Sequence, residues 1–140
     1  MIKFLPTIDA PANTKLPQRS TQFSAGYDFY APTDIFVPAG GESVLVPLNI
    51  KAIMPGDMVL MLFIRSSLAV KFNLSLVNSV GIIDSDYANN IGVKFRNNGS
   101  ETIIIREGER CAQGIIVRYC VTSDDEASAV RGGGYGSTGR

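Results

Sequence analysis

Histidine is absent from the chain. That removes the commonest general base and the commonest zinc ligand. There are two cysteines, Cys111 and Cys120, too few for a disulfide framework. Both read as plain thiols in a reducing, intracellular compartment, on opposite faces if they share a strand. Net charge is lacking too, since 13 basic residues balance 13 acidic ones. This argues against a broad grip on nucleic acid and leaves room for a small local anion site. No long apolar run occurs. The longest, Met58–Ile64, falls far short of the roughly 20 residues that span a bilayer, and the first residues do not form a targeting signal. The expectation is a soluble, cytoplasmic protein with no nucleic-acid or membrane partner.

Helical signal is also scarce. Its best candidate is one or two turns over Ser66–Phe72, opened by serines that can cap it. What is abundant is short apolar runs between turn signals. Residues 44–50 read as a strand, with Pro47 marking an edge or bulge and turns at 39–41 and 55–57 on either side. Met58–Ile64 is apolar without alternation, as in a buried strand. Residues 91–95 alternate and run into the Asn97-Asn-Gly99 turn, and 102–105 and 114–119 add two strands. Residues 6–21 read as a strand followed by a surface loop. Seven or more short strands with little helix, in 140 residues, predict one all-β domain, a sandwich or barrel. The final ten residues contain five glycines and cannot pack by themselves. The expected division is a β-sandwich over 1–122 and a flexible C-terminal arm over 123–140.

Five segments carry chemical potential. Asp28 lies between aromatics in a strand-like composition, Tyr27-Asp-Phe-Tyr30, where a carboxylate is more often an ion-pair partner than a catalyst. Arg65, Ser66 and Ser67 follow the buried run, where hydroxyls and amides at a helix start can hold an anion or simply cap. Residues 78–90 read as a hairpin turning at 88–90, with polar groups at its rim. Turn-making explains Asp86, Asn89 and Asn90. It explains Asp84 less well, because Asp is unfavourable beside Ile82-Ile83 in a strand. Arg110 and Gln113 open another strand. In the arm, Arg131 offers a fork for phosphate oxygens, Ser137 and Thr138 add hydroxyls, glycine amides approach anions closely, and Tyr135 can stack on a base.

In this order the segments resemble the five motifs of the trimeric deoxyuridine triphosphatases (dUTP pyrophosphatases), from about Ala25 to the end of the chain. The resemblance implies a jelly-roll-like β-sandwich (a dUTPase-like β-clip) forming a homotrimer. It implies hydrolysis of dUTP to dUMP and pyrophosphate, which lowers dUTP and supplies dUMP for thymidylate synthesis. Asp84 matches the carboxylate that activates water against the α-phosphorus. Asn78 with Gly81, Ile82 and Ile83 matches the uracil-pairing hairpin, and Tyr87 the ring that excludes a ribose. Arg65, Ser66, Ser67 and Gln113 match phosphate-site residues. Arg131, Tyr135, Gly136, Ser137 and Thr138 match the closing lid. Asp28 and Arg110 match charges read as mainly structural, with Asp28 a candidate to face waters around the metal. Mg2+ is expected on the triphosphate and waters, with no direct protein ligand.

The chain departs from the motif pattern twice. Three glycines, not the usual four residues, separate Arg131 from Tyr135, and Ser67 stands where glycine is common. Two alternatives remain beside the main reading. One is a dCTP deaminase-type relative, although no carboxylate occurs between Asn78 and Ile83. The other is a regulatory trimer of the same fold. Whether the arm closes in cis or on a neighbour, and whether a regulatory protein partner exists, stays open at this level.

Overall fold

Turn residues cut the apolar sequence into pieces too short to be helices, and these pieces pair as strands. The computed structural model describes residues 1–135. Its strands are β1 (Lys3–Pro6), β2 (Gln18–Arg19), β3 (Tyr27–Tyr30), β4 (Ile35–Val37), β5 (Val46–Pro47), β6 (Ile50–Ile53), β7 (Met58–Ile64), β8 (Leu74–Leu76), β9 (Gly81–Asp84), β10 (Gly92–Val93), β11 (Phe95–Asn97), β12 (Ile103–Ile105) and β13 (Arg110–Arg118), with one helix, α1 (Ser66–Phe72), between β7 and β8.

The pairing is nested. β3 pairs with β13, β4 with β12, β5 with β10 and β8 with β11, all antiparallel, so the chain behaves as a long ribbon rolled on itself. That is a jelly-roll-like β-sandwich. The largest sheet runs β2-β3-β13-β7-β9, and β1 pairs with β6. Phe29, Leu60 and Leu62 of the large sheet meet Val37, Ile50, Phe95 and Ile105 of the smaller pairs in one core. Gly114 lets β13 lie close to this core, since a methyl there would come 2.8 Å from both Leu60 Cδ1 and Phe29 Cε2. Among the described residues no helix is long and apolar enough to cross a membrane.

Four expectations change. The serines do not cap α1. Arg65 occupies the cap position in an extended conformation with no side-chain cap bond, because β7 runs unbroken to Ile64 and Ser66 is already helical. The helix stops where Asn73 turns left-handed, at φ 54°. Residues 44–50 are not one strand, because Asn49 at φ 61° breaks them into β5 and the start of β6. The segment 78–90 is not a local hairpin turning at 88–90. β9 pairs with β7 and β10 with β5, while β8 and β11 close the base of the excursion. The N-terminal strand ends at Pro6 rather than starting there.

One buried amide ties the end of β11 to the core. Asn97, 1% exposed, donates to the carbonyls of Val37 and Glu101 and accepts the Gly99 N–H at 2.9 Å. Replacing it strands a donor and two acceptors. Asn97→Ala is expected to cost about 2–4 kcal/mol, read as a lower urea midpoint at unchanged slope. An unaltered midpoint would contradict this.

Candidate active site

The first cluster forms where β3, β7 and β13 lie side by side. Pairing of Gln113 with both Phe63 and Asp28 brings Asp28, on β3, level with the end of β7. Asp28 is 7% exposed. Its Oδ1 accepts from Arg65 Nε at 3.0 Å, and its Oδ2 accepts from Ser20 Oγ at 2.7 Å and Arg110 Nη1 at 3.3 Å. Burial opposes its ionisation, but the Ser20 hydroxyl and the two guanidinium groups outweigh this and hold its pKa below the ordinary carboxylate value. Arg65 is thereby aimed, and its Nη1 reaches Ser67 Oγ at 3.5 Å. Gln113 Nε2 donates to the Ile64 carbonyl at 3.2 Å, bracing the residue before Arg65. Arg65, Ser67 and Arg110 line a groove of about 540 Å³.

The second cluster surrounds the excursion between β8 and β11. Gly81 faces Leu62 across the β7–β9 ladder, where a methyl would sit 3.2 Å from Leu62 Cβ. Asp84 closes β9 at the sheet edge, and a turn bonded from Tyr87 N–H to the Asp84 carbonyl follows. Tyr87 then points inward. It is 8% exposed, and its hydroxyl donates to the Asn90 carbonyl at 2.9 Å. Burial chiefly, with Tyr135 beside it, pushes its pKa up to about 12, so the ring stays neutral. Asn90 in turn accepts from the Asn49 N–H at 2.8 Å, which pins the excursion to the β5–β6 junction.

Residues 131–135 lie over this same cluster in their own chain. Arg131 Nε donates to Asp86 Oδ1 at 2.7 Å, and Arg131 Nη2 donates to Asp84 Oδ2. The Tyr135 ring meets Tyr87 edge-on, with centroids 6.4 Å apart. Asn78, Gly81, Ile82, Ile83, Asp84, Tyr87, Arg131 and Tyr135 together line a cavity of about 210 Å³. An apolar recess of about 300 Å³, walled by Leu45, Leu62, Leu76 and Val93, opens beside it and shares Asn78, Gly81 and Tyr135.

The structure thus gathers the expected residues into two sets. The residues of the 78–90 excursion and Arg131 share one cavity. Arg65, Ser67 and Arg110 share another, and the two have no lining residue in common. Ser66 is exposed at the start of α1. Gly136, Ser137 and Thr138 lie outside the described residues. The sequence reading missed Lys15 and Tyr30, which also line the arginine groove with Lys15 Nζ 3.8 Å above the Tyr30 ring. It missed the Asn49–Asn90 link as well. Neither has a local signal, since each joins distant segments. Among the described residues, no group of three or more His, Cys, Asp or Glu side chains could hold a metal ion.

These features define an all-β, jelly-roll-like protein with a polar cavity backed by an apolar recess and a separate arginine groove. The chain belongs to the dUTPase family, whose model matches residues 12–139. It is 42% identical over 137 residues to the deoxyuridine 5'-triphosphate nucleotidohydrolase of Lactococcus lactis, covering 91% of this chain and 90% of that one. It is 40% identical over 131 residues to the Rickettsia felis protein of the same name, covering 89% and 88%. The crystal structure of dUTPase from Streptococcus mutans superposes with a TM-score of 0.78 at 36% identity, covering 86% of this chain and 98% of that one.

The Asp28 cluster has a pH signature. A folded pKa below the unfolded one contributes stability above about pH 4, which is lost as pH falls through the folded pKa. Asp28→Asn is expected to lose about 2 kcal/mol at pH 7 and less at pH 3. Denaturant unfolding of both proteins at the two pH values measures the gap, and a gap that stays constant would count against the cluster.

Proposed function

We propose that this chain hydrolyses dUTP to dUMP and pyrophosphate, with Asp84 activating the attacking water. One observation carries the reading: in a chain of the dUTPase family, an exposed carboxylate, Asp84, shares a cavity with Asn78, Gly81 and the buried Tyr87. Water held by Asp84 forms a bond to the α-phosphorus. The bond from that phosphorus to the bridging oxygen breaks, the water proton passes to Asp84, and pyrophosphate leaves. Positioning and charge neutralisation dominate such chemistry.

Each neighbour has a part. Asn78 and the backbone of Gly81, Ile82 and Ile83 meet the uracil edge, so cytosine leaves a buried group mispaired. Tyr87, held by its bond to the Asn90 carbonyl, is a fixed wall against a 2′-hydroxyl. Arg65, Ser66, Ser67 and Gln113 hold phosphates, and Arg131, Tyr135, Gly136, Ser137 and Thr138 close over the nucleotide. Both Asp28 oxygens are engaged by Arg65, Ser20 and Arg110, which suits outer contact through water rather than metal ligation. Mg2+ would therefore be held by the triphosphate and waters, where it would neutralise phosphate charge.

The two clusters share no lining residue, which suits a site completed by a second subunit. A homotrimer supplies it, built from domain 1–122 with 123–140 as the arm. The free thiols of Cys111, buried, and Cys120, exposed, fit a reducing cytoplasm.

With magnesium present, pyrophosphate release from dUTP is expected to exceed that from dCTP, dTTP and UTP. Ammonia release from dCTP, or intact dUTP, would overturn the reading. Asp84→Asn is expected to keep nucleotide binding while lowering kcat by about 10²–10⁴-fold. Unchanged turnover would sink Asp84 as the base.

A further inference from the structure

We propose that Asn98 is a covalent modification site: the Asn98–Gly99 step deamidates spontaneously, the fold restrains that reaction, and its product unties the end of α1 from the turn between β11 and β12. None of the residues involved belongs to the proposed active site.

Asn98-Gly99 is the single Asn-Gly step in the chain. Asn98 is exposed in the turn that follows β11. In such a step the Gly99 nitrogen gives its proton to solvent and attacks the Asn98 side-chain carbon Cγ. The bond from Cγ to Nδ2 breaks, and Nδ2 takes up a proton and leaves as ammonia. A five-membered succinimide remains. Water opens that ring at either carbonyl, giving aspartate or isoaspartate at position 98. Glycine suits the attack, because it has no side chain to shield its nitrogen and its backbone turns freely.

The fold holds both reacting groups. The Gly99 N–H is donated to Asn97 Oδ1 at 2.9 Å, so the proton that must leave is engaged. Asn97 is itself buried and fixed by the Val37 and Glu101 carbonyls. The Gly99 carbonyl accepts the Gly40 N–H at 3.0 Å, which pins the glycine on its other side. Asn98 Nδ2 donates to the Asn73 carbonyl at 3.0 Å and to Ser75 Oγ at 3.2 Å, which anchors the side chain under attack. Ring closure therefore waits on a local opening that breaks these bonds.

The same contacts define what the reaction removes. Asn73 ends α1 in the left-handed conformation. Its carbonyl accepts two donors from Asn98, the backbone N–H and Nδ2, each at 3.0 Å. An aspartate at position 98 has no Nδ2 proton to give. Its carboxylate would face that carbonyl and the negative end of the helix.

Mass spectrometry of the tryptic peptide 97–106, with assays for ammonia and isoaspartate, reads the reaction in the full-length protein. In alkaline buffer with urea, acid is expected to accumulate at Asn98, and Gly99→Ala is expected to suppress it. In the folded protein the rate is expected to be at least about tenfold lower. Ser75→Ala removes one anchor and is expected to raise the folded rate roughly 2–10-fold, the range of one hydrogen bond. Equal rates in folded and unfolded protein, no acid at Asn98 in urea, or a folded rate indifferent to Ser75→Ala overturns the proposal. Should Ser75→Ala not fold, hydrogen exchange at the Gly99 amide of the wild type decides instead. Protection is expected there, and exchange as fast as in the urea-unfolded chain overturns the restraint. Urea midpoints read the consequence. That of Asn98→Asp is expected to lie below that of Asn98→Ala, and equal midpoints overturn the untying of α1.

Discussion

Asp28 carries a negative charge at 7% exposure, so its oxygens must find donors within the protein. The donors come from three places in the chain: Ser20, Arg65 at the end of β7, and Arg110 at the start of β13. Satisfying one carboxylate therefore locks three segments together. It also turns Arg65 from a mobile side chain into an aimed one, with Ser67 beside it and Gln113 bracing Ile64. The geometry of the arginine groove is a consequence of that requirement.

The cavity of the 78–90 excursion is built on the opposite logic. Its carboxylate, Asp84, stands at a sheet edge in contact with solvent, where charge costs little. Rigidity there comes from apolar and backbone contacts: Gly81 against Leu62, Tyr87 bonded to the Asn90 carbonyl, and Asn90 bonded to Asn49. An exposed carboxylate within a stiff frame suits a reaction governed by position and charge. The absence of histidine from the sequence is consistent with such a site.

Much of this was legible in one dimension. Met58–Ile64 and Ser66–Phe72 match β7 and α1 residue for residue, because a solid apolar run and a left-handed Asn73 leave few choices. Asp28 between aromatics was legible as an ion-pair partner, because a half-buried strand surface does not tolerate a lone charge. Other features were not. The serines before the helix looked like caps, yet the cap falls on Arg65, whose side chain is committed to Asp28. Asp86 looked like a turn former, and its carboxylate faces Arg131 from 45 residues away.

Asp84 shows where the boundary lies. Local pattern and motif order determined the strand it ends, the aromatic that follows it and the family to which the chain belongs, because turn chemistry and alternation act between near neighbours. Tertiary structure decided what Asp84 touches. Nested pairing sends β9 to β7 rather than to a local hairpin partner, and the chain returns after β13 to lay Arg131 on Asp84 and Asp86. Such contacts join residues far apart in the chain, and they depend on how the whole ribbon rolls up, which no short window of residues encodes.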